Sequence, residues 1–287
     1  IPKRDWSSDV CSSDLSLCRV LGALAVCLAA VPVFAQQSGP QPLDGPAQHF
    51  EFFSRYDFQL EANVLSGDNG KQYRWDTHFG GEFDVMNYVK GRATVVTDYE
   101  AVLGSELRPF DPNQGNYILE PAASWFVGRN EVAFVFHHVS RHASDRPKTY
   151  SVAFNILEGR YLRRFTLPNR STIALRTSVG KLAQHSQVDY TWTWDWDVMT
   201  RVPVNPHLEF FARTTGELFG VDPSVRGRTD TQHTERVEIG TRVLGKKADL
   251  ELFLGAEHRL DASFVDFVPV SWAIDRKSTR LNSSHVS

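Results

Sequence analysis

From Phe50 onward the apolar positions recur every second residue. Tyr56, Phe58, Leu60, Ala62 and Val64 alternate with Arg55, Asp57, Gln59, Glu61 and Asn63. Neighbouring side chains of an extended chain point to opposite faces, so this segment predicts a strand with one apolar and one charged face. The same alternation returns repeatedly. Phe79, Gly81, Phe83 and Val85 oppose His78, Glu82 and Asp84, and Val95, Thr97, Tyr99, Ala101 and Leu103 oppose Thr94, Asp98 and Glu100. Leu208, Phe210 and Ala212 oppose Glu209 and Arg213. Val237, Ile239 and Val243 oppose Arg236, Glu238 and Arg242, and Leu250, Leu252 and Leu254 oppose Asp249 and Glu251. Eleven strands can be counted, and a twelfth begins at Phe267 to Ile274 and is cut short.

The connections alternate as well. Long polar ones span Ser66 to Gln72, Gly104 to Asn116, Arg141 to Thr149, Leu182 to Asp189, Gly220 to His233 and Leu260 to Asp266. Shorter ones span Asn87 to Gly91, Val127 to Asn130, Val202 to His207 and Leu244 to Lys247. Strands of about ten residues with short turns at one end and long loops at the other predict an all-β fold, an up-and-down antiparallel transmembrane β-barrel of about 12 strands with the last one truncated. A soluble lipocalin-like barrel would turn the apolar face inward, but about twelve strands around an apolar lumen leave a cavity too wide for side chains to fill. Tyr190, Trp192, Trp194 and Trp196 share one face, opposite Thr191, Thr193, Asp195 and Asp197, as an interfacial aromatic girdle requires. The second face, carrying Arg55, Asp57, Glu61, Asp98, Glu100, Glu120, Arg176 and Arg213, is expected to line a lumen that mixed charges largely close.

The ends are set apart from the barrel, which is assigned to residues 51–275. Residues 16–35, SLCRVLGALAVCLAAVPVFA, read as a secretory signal peptide cleaved after Ala35, with a single N-terminal anchor helix as the alternative. Residues 36–50 read as a flexible lead-in. The opening 1–15 (IPKRDWSSDVCSSDL) and the closing 276–287 (RKSTRLNSSHVS) resemble translated sequencing-adapter read-through and are treated as non-native. Export and the barrel pattern together place the protein in a Gram-negative outer membrane. Its expected partners are outer-membrane lipid, lipopolysaccharide and the barrel-insertion machinery.

Composition then narrows the chemistry. The 287 residues are 41% apolar, 12% aromatic and 23% charged, with a net charge of −3, which excludes the basic excess of a nucleic-acid binder. Cys11, Cys18 and Cys27 all precede the expected cleavage point, so residues 36–275 carry no disulfide, thiolate nucleophile or zinc–thiolate site. His78, His185, His207, His233 and His258 are scattered without a ligand spacing, and neither a metal nor another cofactor is assigned.

One stretch carries candidate chemistry. In Glu131 to Arg146, the positions Val132, Phe134, Phe136, His138, Ser140 and His142 share one face. The first three suit lipid, so His138 and Ser140 are expected to point outward near the outer leaflet. Two residues apart on a strand is about 7 Å at Cα, close enough for a base–nucleophile pair. His-x-Ser on an outward face resembles outer-membrane phospholipase A and the lipid A deacylase barrels. The longer His138-x-Ser140-x-His142-x-Ser144-Asp145 is similar to a loop in a family of Gram-negative outer-membrane barrels of no established activity. The hydrolase resemblance implies His138 as general base, Ser140 as nucleophile and backbone amides of the following loop as the oxyanion hole. The orienting Asn of the phospholipase has no assured counterpart: Asn155 takes the inward parity beside Val152, Phe154 and Ile156, so His142, Asp145 or a residue of the fourth strand would have to orient the imidazole. Three readings follow: an envelope-associated structural barrel, a lipid acyl-ester hydrolase, and a narrow channel.

Overall fold

The computed structural model describes residues 41–66, 74–105, 107–143, 152–226, 231–246, 248–259 and 273–286. Twelve strands run in chain order: β1 Phe50–Ser66, β2 Trp75–Tyr88, β3 Arg92–Gly104, β4 Asp111–Val127, β5 Asn130–Ala143, β6 Val152–Thr166, β7 Thr172–Ser186, β8 Tyr190–Asn205, β9 Leu208–Val221, β10 Gln232–Leu244, β11 Asp249–Arg259 and β12 Ala273–Val286. Each pairs antiparallel with its sequence neighbours, and β12 pairs with both β11 and β1, giving a closed barrel. Among the described residues no helix is long and apolar enough to cross a membrane. Closure satisfies the backbone of every strand without an exposed edge, which lets strands do the crossing instead.

The turns follow the expected asymmetry with two exceptions, one being the connection read as Gly104 to Asn116, which shrinks to residues 105–110 because β4 begins at Asp111. Short connections join β2 to β3, β4 to β5, β6 to β7, β8 to β9 and β10 to β11. Gly128 takes φ +63° in the two-residue β4–β5 turn, a conformation costly to any residue with a Cβ. At the other end β7 continues to Ser186, so the connection read as Leu182 to Asp189 shrinks to residues 187–189. The twelfth strand is described over Ala273–Val286, which includes residues that the sequence reading set aside as non-native, whereas residues 267–272 of its expected start lie outside the described residues. Residues 1–40, with the expected signal peptide, lie outside the described residues.

The lumen is packed with ion pairs. Arg92, wholly buried, donates Nη1 to Glu82 (2.8 Å) and Asp84 (3.0 Å) and Nε to Glu131 (2.7 Å), while Arg55 pairs with the same Glu82 and Asp84. Farther along, Arg160 bridges Glu120 (2.8 Å) and Glu158 (3.0 Å), and His137 lies 2.8 Å from Glu120. Arg213 binds Asp197, and Arg236 binds Glu61 and Glu238. Charges withdrawn from water persist only when paired in this way. Part of the expected flexible lead-in joins the network: Gln41 donates its amide to Glu82 (3.1 Å), its carbonyl accepts from Arg92 (2.8 Å), and Pro42 is buried.

Toward the end bearing the long connections the lumenal faces of β5 to β9 turn apolar, whereas β2 and β3 keep Asp76, His78 and Glu100 buried there. Val139, Val152, Phe154, Ile156, Leu182, Tyr190 and Phe219 form an internal core in which Tyr190 stacks on Phe219 at 4.1 Å. This overturns two expectations. Val152, Phe154 and Ile156 face inward instead of toward lipid, and Tyr190 leaves the tryptophan stripe through a register shift between Tyr190 and Trp192. Trp192 and Trp194 remain exposed on the outer face, with Trp125 exposed at the opposite end, as two interfacial belts require.

Two outcomes test this interior. Replacing Arg92 by Met leaves three carboxylates buried beside an apolar side chain, so the folded barrel loses about 3 to 5 kcal/mol in denaturant titrations into lipid vesicles. If the ion pairs and apolar side chains buried among the described residues close the lumen, the wild-type protein gives no steady ion current in planar bilayers; an open conductance of porin size contradicts a closed interior.

Candidate functional site

β5 presents its candidate residues outward, as its pattern predicts. Val132, Phe134 and Phe136 are 39%, 54% and 36% exposed, whereas Glu131, Val135, His137 and Val139 are buried in the lumen. His138, Ser140 and His142 continue the outer stripe toward the end with the long connections. Across the sheet, His138 is in register with Leu119 and Asn155, Ser140 with Tyr117 and Ala153, and His142 with Gly115. Ser140 thus has Ala153 on one side and exposed Tyr117 on the other.

The hydrogen bonds sort these residues into two pairs. Ser140 Oγ lies 2.8 Å from His142 Nε2. His138 Nδ1 lies 2.6 Å from Asn155 Oδ1, and Asn155 Nδ2 donates to Gln184 Oε1 at 3.3 Å. With its amide nitrogen donating to Gln184, Asn155 offers its oxygen, which only accepts, toward His138 Nδ1. Tyr117 packs edge-on against His142 (5.4 Å between centroids) and against Tyr99 (4.9 Å), bracing the second pair from β4 and β3.

Asn155 is the residue that sequence reasoning misplaced. Apolar Val152, Phe154 and Ile156 suggested a lipid-facing side for β6, which sent Asn155 inward. The structure reverses that parity: those three residues fill the internal core, Glu158 and Arg160 share their side, and Asn155 faces outward beside exposed Leu157. Glu158 and Arg160 were the available signal, because a pair of charges fixes the lumen face more firmly than apolar residues do. His142, held in reserve as an orienting group, instead contacts the hydroxyl itself. Asp145 and the loop amides expected to form an oxyanion hole lie outside the described residues.

Two further clusters bring metal-binding side chains together, although no sequence spacing announced either. His233, Glu235 and His258 meet across β10 and β11, and Asp76, His78 and Glu100 meet across β2 and β3. Both arise from cross-strand pairing, which a linear motif does not record.

Neither a protein-family model nor a curated protein sequence matches the chain. Solved structures do. An outer-membrane channel of Pseudomonas putida F1 aligns over 88% of this chain and 100% of its own, at 10% identity and a TM-score of 0.50. LpxR from Salmonella typhimurium aligns over 82% of this chain and 100% of its own (7% identity, TM-score 0.44), and a loop-deletion form of OmpT from Vibrio cholerae over 83% and 99% (10%, 0.42). At these identities the likeness is one of architecture, and the chain has the fold of the outer-membrane β-barrels.

Proposed function

We propose that the protein is an outer-membrane acyl-ester hydrolase whose working surface is the outside of the barrel, acting on lipid at the outer leaflet. The observation that carries this reading is the pairing of Ser140 with His142 and of His138 with Asn155 on one lipid-facing strip. The ion pairs and apolar side chains that the described residues bury inside the barrel support the same reading over that of an open channel.

In this scheme His142 Nε2 takes the proton of Ser140 as the hydroxyl oxygen attacks the ester carbonyl, and returns it to the departing alcohol. The base is thereby reassigned from His138 to the imidazole already in contact with the hydroxyl. His138, held at Nδ1 by Asn155, stands on the other side of Ser140 as a second proton acceptor, suited to activating the water that releases the acyl group. A neutral asparagine suits this surface better than a carboxylate, whose charge would have to be desolvated beside lipid.

Fatty-acid release from phospholipid and from lipopolysaccharide, measured on folded protein in detergent, tests the proposal. Ser140→Ala abolishes release, and His142→Ala lowers it by about 10²- to 10⁴-fold. Asn155→Ala leaves acylation of Ser140 in place but slows its hydrolysis, so intact-protein mass spectrometry shows acyl-enzyme accumulating. A folded wild-type barrel inactive on both lipids removes the hydrolase and leaves a structural envelope protein.

A further inference from the structure

A second polar cluster sits on the outer wall, away from the Ser140 strip. In an antiparallel pair, residues two apart on one strand and the residue opposite them on the next share one face. Glu235 is directly opposite His258, and His233 lies two residues before Glu235. The register continues through Val237 opposite Ala256 and Ile239 opposite Leu254. Ile239 and Leu254 are 46% and 53% exposed, which identifies this as the outer face, while Arg236 and Glu238 turn into the lumen to meet each other and Glu61. His233, Glu235 and His258 therefore stand on the outside of β10 and β11, at the end carrying the long connections.

The carboxylate is the unusual member. Glu235 is 8% exposed, and the ion pairs it makes among the described residues are with the two imidazoles. A buried anion on a wall shared with Val237 and Ile239 needs a cation to offset its desolvation. His233 Nε2 is 3.3 Å from Glu235 Oε1, His258 Nδ1 is 3.9 Å from Glu235 Oε2, and the three donor atoms all lie within 4.8 Å of one another. Ligands bound tetrahedrally at zinc distances of about 2.0 to 2.2 Å are about 3.3 to 3.6 Å apart, so modest side-chain rotations bring all three onto one ion.

We infer that His233, Glu235 and His258 form a site for a divalent transition-metal ion on the outer wall of the barrel, with Zn²⁺ the ion that the donor set fits. Two imidazole nitrogens and one carboxylate favour zinc over calcium or magnesium, which prefer all-oxygen shells. Three protein ligands leave a fourth position open, directed away from the barrel. The bound ion ties β10 to β11 and neutralises Glu235. The lumenal cluster of Asp76, His78 and Glu100 does not make the same case: His78 Nδ1 is committed to Asp98 at 2.7 Å, and its Nε2 faces Asp76 at 3.5 Å.

Cobalt titration of the folded protein in detergent tests the site, because Co²⁺ held by four or five ligands absorbs strongly in the visible range whereas hexahydrated Co²⁺ barely absorbs. One equivalent of Co²⁺ is expected to give these bands, and Zn²⁺ to bleach them. His258→Ala and Glu235→Gln weaken binding at least tenfold, while H207A, on the exposed β8–β9 turn, leaves it unchanged. Heat-dependent gel mobility confirms that each variant is folded. Should a variant fail to fold, carbethoxylation of the wild-type protein mapped by mass spectrometry supplies the answer, since Zn²⁺ shields His233 and His258 but not His207. Cobalt spectra of the hexahydrate type, or bands that survive loss of His258, overturn the assignment.

Discussion

Every second side chain of a closed sheet is sent into the lumen, and the charges among them must find their counterions there. That constraint organises this barrel. Arg92 holds three carboxylates from β2 and β5, and Arg160 holds Glu120 and Glu158 with His137 against the same Glu120. These links cross between strands that are not always neighbours: Arg236 on β10 reaches Glu61 on β1, past β11 and β12. Such cross-lumen pairs are costly to break singly, so they fix which residues point inward and thereby which residues the outside can display.

The outward site inherits its geometry from this interior. Asn155 lies between Phe154 and Ile156, and both of these are buried in the internal core with Val139 and Leu182. A shift of one residue in β6 would expel two large apolar side chains from that core and turn Asn155 away from His138. Burying each such side chain is worth about 1.5 to 3 kcal/mol, more than the hydrogen bond to His138 contributes alone. The core therefore sets the position of Asn155, and the polar contact follows.

How far this could be read from the sequence depends on which face carried charge. In β1 and β3, and over residues 236–243 of β10 and 249–254 of β11, acids and bases occupy one face and apolar residues the other, and the expected sides hold. In β6 and at Tyr190 the rule fails for a physical reason: near the long connections the lumenal faces of β5 to β9 are apolar too, so hydrophobicity no longer separates lipid from interior there. His138, Ser140 and His142 were legible because Val132, Phe134 and Phe136 extend their stripe on the outer wall. Asn155 was not, and neither was the meeting of His258 with Glu235, because both depend on pairing between strands. The twelfth strand is a further case: the segment Ala273–Val286 lacks the apolar alternation of the others, yet backbone pairing alone closes the barrel through it.

The two polar clusters on the outer wall solve the same problem in different ways. A polar group facing lipid must satisfy its hydrogen bonds locally and avoid carrying net charge. Ser140 with His142, and His138 with Asn155, meet the first condition through their mutual hydrogen bonds. Glu235 satisfies neither condition by itself, since an imidazole in its neutral form offers a hydrogen bond but no charge. In the proposed site a divalent ion would accept a lone pair from each of the two rings, whose centroids are 5.2 Å apart, and from the carboxylate, so a single species would offset the Glu235 charge and join β10 to β11.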